Sequence, residues 1–163
     1  MTGAGRQRGL LAAALLAVLA AAAAGRFRRI EVAGDSMRPV LEPGDRVVVM
    51  RTGAPRTGDI VACADPGHPD RTVVKRVAAL PGGHLVLSDG TRLAAGHGYI
   101  VLGDNSNASI DSRHFGPIDL KSIIGRLIFR YVPEPRAGFI SRRSARFAFE
   151  TGLGHARSVE KLP

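Results

Sequence analysis

Short runs of apolar and β-branched residues, each followed by turn-forming residues, recur from residue 30 to residue 131. This pattern constrains the fold more than any other feature of the chain, because its spacing is typical of a small β barrel or sandwich. No stretch of about ten residues in this region has the apolar period of a helix. We therefore expect a mainly β domain in the form of a compact barrel or sandwich. The predicted strands are Ile30–Ala33, Arg46–Arg51, Asp59–Cys63, Thr72–Ala78, His84–Leu87, Tyr99–Leu102 and Ile124–Tyr131.

The segment from Ser88 to Thr91 is the clearest predicted turn. Asp89 and Gly90 form a dipeptide that two-residue hairpin loops favour, because glycine adopts a positive φ at little cost. We expect a hairpin with a two-residue loop at this point.

The first 25 residues differ in composition from the rest of the chain. An unbroken run of Leu, Val and Ala covers Leu10–Ala24, with arginines on both sides. A run of this length lies at the lower edge of what spans a bilayer, and it also fits the apolar centre of a cleaved secretory signal. Arg26, Arg28 and Arg29 favour an uncleaved anchor, because they would lie among the lipid headgroups; charge alone leaves the orientation open. The predicted segments are a short basic N-terminus (1–9), a membrane anchor (10–25), the β domain (30–131) and a basic tail (132–163) that is helical or disordered.

Charge and cysteine content exclude several classes of protein. The formal net charge is +9, and the arginines concentrate near the two ends of the chain. Because no aromatic-rich basic motif accompanies them, we expect a lipid bilayer as a partner and no nucleic acid. The single cysteine, Cys63, excludes an intrachain disulfide and a zinc site built from thiolates, and the five histidines are too scattered to predict a metal site.

Three stretches carry residues of chemical interest, and the first is Gly34–Pro39 (GDSMRP). It places Ser36 at a bend after a predicted strand, and Pro39 restricts the backbone where the chain leaves the bend. A hydroxyl exposed on a stiff bend suits a nucleophile, although these residue types also form ordinary turns.

The second stretch is Thr72–Val77 (TVVKRV), in which strand alternation places Lys75 and Val73 on one face. A lysine here is either exposed to solvent or buried in the domain. Burial would lower its pKa and allow it to act as a general base near neutral pH. A buried amine within reach of Ser36 would take the proton of the hydroxyl, as in the Ser-Lys variant of the nucleophile and base pair.

The third stretch is Gly103–Gly116 (GDNSNASIDSRHFG), a predicted loop that is dense in short polar side chains. Such side chains either support a functional site or cap the backbone of their own loop.

In this order, the three stretches closely resemble those of the type I signal peptidases, which are membrane-anchored Ser-Lys endopeptidases. The resemblance covers roughly residues 10 to 131. It implies the β-rich catalytic core of that family behind an N-terminal transmembrane helix, and no metal or cofactor. It further implies that Ser36 is the nucleophile and Lys75 the general base, which later donates the proton to the leaving amine. Ser109 matches a serine that orients the lysine, and Asp111 and Arg113 match an ion pair that shapes the loop.

The resemblance also implies a substrate and a location. The substrate would be a secretory pre-protein with small residues, typically alanine, at the first and third positions before the scissile bond. The catalytic domain would lie on the outer, trans face of the cell membrane, held by a single membrane-spanning segment. The side chains at positions matching the pocket lining are Val32, Met37, Leu41, Val73 and Val74, each of which suits a core position equally well.

The chain departs from the pattern of the family at several positions. Gly34 stands where some members carry a hydroxyl residue that helps to hold the oxyanion, and Val40 and Ser106 stand where threonine and arginine are frequent. Only about twenty residues separate Pro81 from Gly103, so the large second β domain of some relatives is absent. Two alternatives therefore stay open: a dedicated maturation protease similar to the nickel-superoxide-dismutase processing enzymes, and a membrane-tethered binding module without turnover.

Overall fold

The computed structural model describes residues 25–51 and 53–142. The predicted basic N-terminus, the predicted anchor up to residue 24 and residues 143–163 of the predicted tail lie outside the described residues. Within the described part of the chain, no helix is both long and apolar enough to cross a membrane.

Within those ranges the chain forms nine strands and one four-residue α-helix. All the predicted strands are present, with ends that differ from the prediction by up to four residues. Two strands were not predicted, the three-residue Arg92–Ala94 and the two-residue Gly138–Phe139. The elements are β1 (Phe27–Glu31), β2 (Arg46–Met50), β3 (Ile60–Asp65), β4 (His68–Ala79), β5 (His84–Val86), β6 (Arg92–Ala94), β7 (Ile100–Leu102), α1 (Ser112–Phe115), β8 (Ile123–Val132) and β9 (Gly138–Phe139).

Seven of these strands form one antiparallel sheet in the order β1-β2-β8-β3-β4-β7, with β9 paired to β8. Strands β5 and β6 form a separate two-stranded sheet. The prediction of a mainly β domain is thus confirmed. The described strands do not close into a barrel, because β1 and the three-residue β7 end the order of the sheet and pair with β2 and β4 respectively.

The predicted hairpin joins β5 to β6, but its loop has three residues rather than two. The Leu87 N–H donates to the Thr91 carbonyl oxygen at 2.8 Å, and the Gly90 N–H donates to the Leu87 carbonyl oxygen at 3.0 Å. Gly90 has a φ of 83°, whereas no other residue type in the described ranges has a positive φ. The Asp89 carboxylate accepts the Thr91 N–H at 2.8 Å. These bonds define a type I turn followed by a left-handed glycine, which is the usual three-residue hairpin loop.

The apolar side chains pack in three buried clusters. The first lies under the loop that carries Ser36, the second lies between β3, β4 and the segment around Tyr99, and the third lies beside the β5–β6 hairpin. Buried members of the first are Val32, Met37, Leu41, Val47, Val49, Ile60, Ala62 and Leu127. The second contains Val61, Cys63, Val77, Tyr99, Val101 and Ile118, and the third contains Ala79, Leu85, Ala95, Ile100 and Leu102.

Strand pairing brings the second and third motifs together. Strand β4 pairs with β3 through Lys75 and Val61, and with β7 through Arg76 and Leu102. Because Gly103 directly follows Leu102, the polar loop begins beside the strand position that carries the lysine.

The ordered structure continues beyond β8 into a segment of residues 133–142, which we call the strap. It contains a 3-10 turn at Glu134–Arg136 and strand β9, which pairs with β8 through Phe139 and Phe129. After β9 the Ile140 N–H donates to the Ile128 carbonyl oxygen at 3.0 Å, and the Ile140 side chain packs against the first core cluster. This part of the predicted basic tail is therefore packed onto the β domain.

Candidate active site

Ser36 lies in a loop of residues 32–45, which we call the nucleophile loop. Two backbone hydrogen bonds join the ends of this loop. The Val32 N–H donates to the Asp45 carbonyl oxygen, and the Gly44 N–H donates to the Val32 carbonyl oxygen, each at 2.8 Å. These bonds close the loop at its two ends. Between the ends, the conformation of the loop depends on its contacts with the rest of the domain.

Buried side chains on either side of the serine hold the predicted bend. Met37 and Leu41 are 1% and 0% exposed, and the Leu41 N–H donates to the Met37 carbonyl oxygen at 2.9 Å. Ser36 itself is only partly buried. Burial of its apolar neighbours thus fixes the bend while the serine stays accessible, as a nucleophile requires.

Lys75 lies in the middle of β4, with its side chain buried in the domain. It is only 4% exposed, and this burial lowers the pKa of its amine from the ordinary value. Desolvation is the largest cause, because it penalises the charged form. The Asp111 carboxylate acts in the opposite direction, and the nearby Arg113 guanidinium acts in the same direction as burial. The sequence left open whether this lysine is exposed or buried, and the structure shows that it is buried.

Asp111 organises the polar loop around a single carboxylate. Its Oδ2 accepts hydrogen bonds from the Ser109 hydroxyl at 2.8 Å and from the Gly103 N–H at 2.9 Å. Arg113 donates to both of its oxygens, with Nε at 2.8 Å from Oδ1 and Nη2 at 2.6 Å from Oδ2. Asp111 also caps helix α1 through the Arg113 N–H. The ion pair implied by the resemblance is therefore present, and it holds Ser109 as well.

These hydrogen bonds also determine the charge of Asp111. Burial would raise the pKa of its carboxyl group, but the bonds from Arg113, Gly103 and Ser109 outweigh burial and lower it. Asp111 is thus an ionised carboxylate whose charge is compensated by Arg113. Because of this pairing, Asp111 forms no ion pair with Lys75 in the described part of the chain. Burial therefore dominates the pKa of the lysine.

Gly103 is the point at which the nucleophile loop meets the polar loop. A methyl group added to this glycine would lie 2.2 Å from the Ser109 hydroxyl oxygen and 2.6 Å from the Ser36 carbonyl oxygen. Both atoms therefore lie against the same side of Gly103. Only a residue without a side chain permits this approach, which brings Ser36 and Ser109 together.

Three further residues support the site and were assigned no role from the sequence. Arg76 and Asp104, each 2% exposed at the side chain, form a two-point ion pair with both nitrogen–oxygen distances at 2.7 Å. Asn105 donates its backbone N–H to the Ser36 carbonyl oxygen at 2.9 Å and its side-chain amide to the Asp35 carbonyl oxygen at 3.2 Å. All three stand inside the motifs: Arg76 directly follows Lys75, and Asp104 and Asn105 follow Gly103. The opposite charges of Arg76 and Asp104, which directly follow Lys75 and Gly103, were the sequence signal that could have predicted this ion pair.

The predicted pocket residues divide between two of the core clusters. Val32, Met37 and Leu41 belong to the first cluster and are at most 5% exposed, and Val74 packs against the same cluster. Val73 packs instead against the second cluster. All five are thus side chains of the core or packed against it, and their assignment to substrate pockets stays a prediction.

Gly34, two residues before the serine, is exposed, and no atom lies within 4 Å of the position that a side chain would occupy. A larger residue would therefore fit at this position. The absence of a hydroxyl here is a feature of the sequence and is not imposed by packing.

The chain matches the family model described as "Signal peptidase, peptidase S26" over residues 6–94 and 85–132. It is similar to mitochondrial inner membrane protease subunit 1 of Homo sapiens, with 31% identity over 66% of this chain and 70% of that protein. It is similar to signal peptidase I-1 of Synechocystis, a protein named as probable, with 31% identity over 66% of this chain and 72% of that protein.

A further relative is "Probable thylakoidal processing peptidase 2, chloroplastic" of Arabidopsis thaliana. The two sequences are 32% identical over 67% of this chain, and the match spans 39% of the length of that relative.

Proposed function

The chain belongs to the signal peptidase family, peptidase S26, and from this membership we propose that it is a membrane-anchored Ser-Lys endopeptidase that removes signal peptides from secretory pre-proteins. Family membership supports a serine endopeptidase that acts on signal or processing sites. The assignment of the Ser36 and Lys75 pair, the preference for small residues and the anchor are parts of the proposal.

The observation that carries the proposal is the state of Lys75. The residue is 4% exposed, burial lowers the pKa of its amine, and the Asp111 carboxylate of the polar loop pairs with Arg113. A lysine in an inert surface position would be solvated and charged at neutral pH. A desolvated amine without a carboxylate partner can instead bind a proton reversibly, which is what a general base requires.

In the proposed reaction the neutral Lys75 amine accepts the hydroxyl proton of Ser36. The Ser36 oxygen then attacks the carbonyl carbon of the scissile peptide bond. When the tetrahedral intermediate collapses, the bond to nitrogen breaks and the Lys75 ammonium donates its proton to the leaving amine. Water then hydrolyses the acyl ester, with Lys75 again accepting and returning a proton.

Ser109 supports this reaction as a positioning residue. Its hydroxyl donates to Asp111 at 2.8 Å, so the oxygen lone pairs are left to accept a hydrogen bond. A hydroxyl oriented in this way can accept a hydrogen bond from the lysine amine and aim the amine at Ser36. The hydrogen bond from Ser109 to Asp111 therefore supports the role that the resemblance implies for this serine.

The oxyanion would be held by the backbone N–H of Ser36, without a hydroxyl from position 34. A single preorganised donor can contribute about 10²- to 10³-fold to the rate of such a reaction. Gly34 thus makes the proposed site weaker in transition-state stabilisation than that of relatives with a hydroxyl residue there.

We propose that the substrates carry small residues, typically alanine, at the first and third positions before the scissile bond. Val32, Met37, Leu41, Val73 and Val74 would form the walls of shallow pockets around the bend. The apolar run from residue 10 would anchor the chain, with the catalytic domain on the outer face of the cell membrane. Two relatives are named as proteases of the mitochondrial inner membrane, which supports a membrane location; the single anchor and the outer face are parts of the proposal.

The proposal is tested by incubating the detergent-solubilised full chain with several pre-proteins that carry an Ala-x-Ala site. Cleavage is expected for the wild type, with loss of activity in Ser36→Ala and in Lys75→Ala while circular dichroism shows a retained fold. Substantial activity in either variant would contradict the Ser-Lys mechanism.

The range of precursors that are cleaved distinguishes the proposed function from the alternatives. Cleavage of several unrelated pre-proteins supports a general signal peptidase, and cleavage of a single precursor supports a dedicated maturation protease. The second outcome is considered because β4 and β7 are separated only by the small β5–β6 hairpin. Binding of precursors without any cleavage would support a non-catalytic module.

A further inference from the structure

The side of the nucleophile loop that follows Ser36 is held by the strap, a segment distant in sequence. At the end of the loop, Asp45 is completely buried, and its Oδ2 accepts the Glu42 N–H at 2.9 Å. Two arginines from the C-terminal part of the domain, Arg130 and Arg136, form ion pairs with this carboxylate.

Arg136 makes the more extensive contact. Its guanidinium pairs with Asp45 through Nη2 and with Glu42 through Nη1, the latter at 2.8 Å. Its backbone carbonyl oxygen accepts a hydrogen bond from Arg130 Nε at 2.6 Å. Arg130 in turn donates from Nη1 to the Val40 carbonyl oxygen at 3.0 Å. The strap therefore contacts the loop at Val40, Glu42 and Asp45, either directly or through Arg130.

These contacts leave the nucleophile loop held from two directions. On the side that precedes and includes the serine, Asn105 donates to the carbonyl oxygens of Asp35 and Ser36. On the opposite side, Arg136 holds the residues that lead away from the bend. Because the loop contains no strand, these contacts act together with the buried Met37 and Leu41 to hold Ser36 in place.

We propose that Arg136 is a positioning residue for the nucleophile: by binding Asp45 and Glu42 it fixes the nucleophile loop so that Ser36 stays within reach of the base. The inference rests on the proposed function, since it concerns the same serine. According to this inference, the strap affects catalysis, although the sequence predicted this segment as part of a tail outside the β domain.

The chain contains a matched control for a merely structural role. Arg142, six residues further along the strap, pairs with the buried Asp59 through Nε at 2.5 Å. Asp59 is 3% exposed and also receives the Arg56 N–H and a longer ion pair from Arg126. Both arginines thus connect the strap to a buried aspartate, but only Arg136 contacts the nucleophile loop. Removing either one leaves a buried carboxylate with one ion pair fewer, which costs stability in both cases.

The test compares Arg136→Gln, Arg136→Lys and Arg142→Gln in the detergent-solubilised full chain. The measurements are kcat and KM for an Ala-x-Ala precursor peptide, the rate of Ser36 acylation by a small activated ester, and Tm. For Arg136→Gln we expect both kcat and the acylation rate to fall about 10- to 100-fold with KM unchanged, because a misplaced nucleophile slows the chemical step. Arg136→Lys keeps the charge beside Asp45 and should recover part of both rates. Arg142→Gln should lower Tm and leave both rates as in the wild type.

Each other outcome overturns the inference. Equal loss of kcat in the Arg136→Gln and Arg142→Gln proteins would show a general loosening of the strap. Wild-type rates in Arg136→Gln, or a change confined to KM, would show that Arg136 does not position the serine. If Arg136→Gln fails to fold, the Arg136→Lys protein tests the inference instead. Wild-type kcat and a wild-type acylation rate in Arg136→Lys would show that the guanidinium contact with both Asp45 and Glu42 is not needed. A wild-type chain that neither cleaves the peptide nor is acylated would instead contradict the proposed function itself.

Discussion

The proposed nucleophile, Ser36, and the proposed base, Lys75, are held in place by different kinds of structure. Lys75 lies within a strand whose backbone pairs with β3, and its neighbour Arg76 pairs across to β7. Ser36 lies in a loop without strand pairing, held by hydrogen bonds and ion pairs from distant residues. Lys75 is 4% exposed, whereas Ser36 stays partly accessible.

This difference follows from what each group needs chemically. A general base that works near neutral pH must lose the stabilisation that water gives to its charged form, and the interior of a sheet excludes water. A nucleophile must meet a polypeptide substrate, so it lies at an accessible bend and needs external contacts to hold it. Changes on the base side should therefore alter protonation, and changes on the nucleophile side should alter the rate at a given protonation state.

The largest effect is expected where the two sides touch. In Gly103→Ala the new methyl group would overlap the Ser109 hydroxyl and the Ser36 carbonyl group, so the loops must separate. We expect kcat to fall about 100-fold or more, and the free energy of unfolding to fall by about 1–3 kcal/mol. Steady-state kinetics and denaturant unfolding measure these changes. Gly138→Ala is the control, because no atom lies within 4 Å of its added methyl group; equal behaviour of the two variants would refute the close approach.

A smaller effect is expected from a change confined to the base side. Ser109→Ala removes the hydroxyl that donates to Asp111. In the proposed mechanism this hydroxyl orients the lysine amine, so its loss should leave the amine less well aimed at Ser36. We expect kcat to fall about 10- to 100-fold with little change in KM, within the range of general base contributions. The exposed Ser106 of the same loop provides the control variant Ser106→Ala. An effect on KM alone would argue against a positioning role.

The pH dependence of the wild type tests the base side without a mutation. Burial lowers the pKa of Lys75, so the neutral amine forms at lower pH than in an exposed lysine. We expect kcat/KM to rise with pH through a midpoint well below the value of about 10.4 for an unperturbed lysine. The profile is measured with the detergent-solubilised chain between pH 5 and pH 10. A flat profile over this range would count against Lys75 as the base.

The buried amine that the proposed activity requires should lower the stability of the fold. Because the pKa of Lys75 is lower in the folded chain, the unfolded chain binds more protons between the two pKa values, and the stability of the wild type rises with pH there. Lys75→Met should therefore raise Tm, most strongly below the folded-state pKa, and its advantage should shrink as pH rises through that value. Thermal unfolding at a series of pH values measures this, with Lys121→Met as the control for an exposed lysine. A Tm below that of the wild type at acidic pH would contradict the desolvation of the amine.

The smallest effect is expected at Gly34 on the nucleophile side. There is room for a side chain at this position, and a hydroxyl there would add a donor for the oxyanion. We expect Gly34→Ser to raise kcat several-fold, less than the full contribution of about 10²- to 10³-fold for a preorganised donor, because the new hydroxyl is free to rotate. Gly138→Ser serves as the control in the same kinetic assay. An unchanged or lower kcat in Gly34→Ser would show that position 34 does not face the oxyanion.

The sequence allowed much of the fold to be predicted, because strand alternation and turn residues are local signals. The strands of the main sheet that exceed two residues were all anticipated, whereas β9 was missed. The β5–β6 hairpin was predicted at the right place with a loop one residue too short, because Asp89 holds the turn with its own side chain. Local chemistry of this kind decides between turn types that share the same dipeptide.

The site was less predictable where it depends on contacts between distant residues. Ser36, Lys75 and Ser109 could be proposed as site residues because they stand in motifs with characteristic neighbours. Arg136 and Asp45 are 91 residues apart, and neither stands in a motif, so no local pattern connects them. The strap was predicted as a tail because two strand residues and a basic composition resemble an unstructured segment.

The sequence by itself thus determined the mainly β architecture and the residue types of the proposed dyad, since short-range patterns indicate both. The tertiary structure decided that the lysine is desolvated, that Arg113 compensates the charge of Asp111, and that the strap holds the nucleophile loop. These properties depend on which side chains are shielded from water and which charged groups form ion pairs. Both are determined only when distant parts of the chain pack against each other.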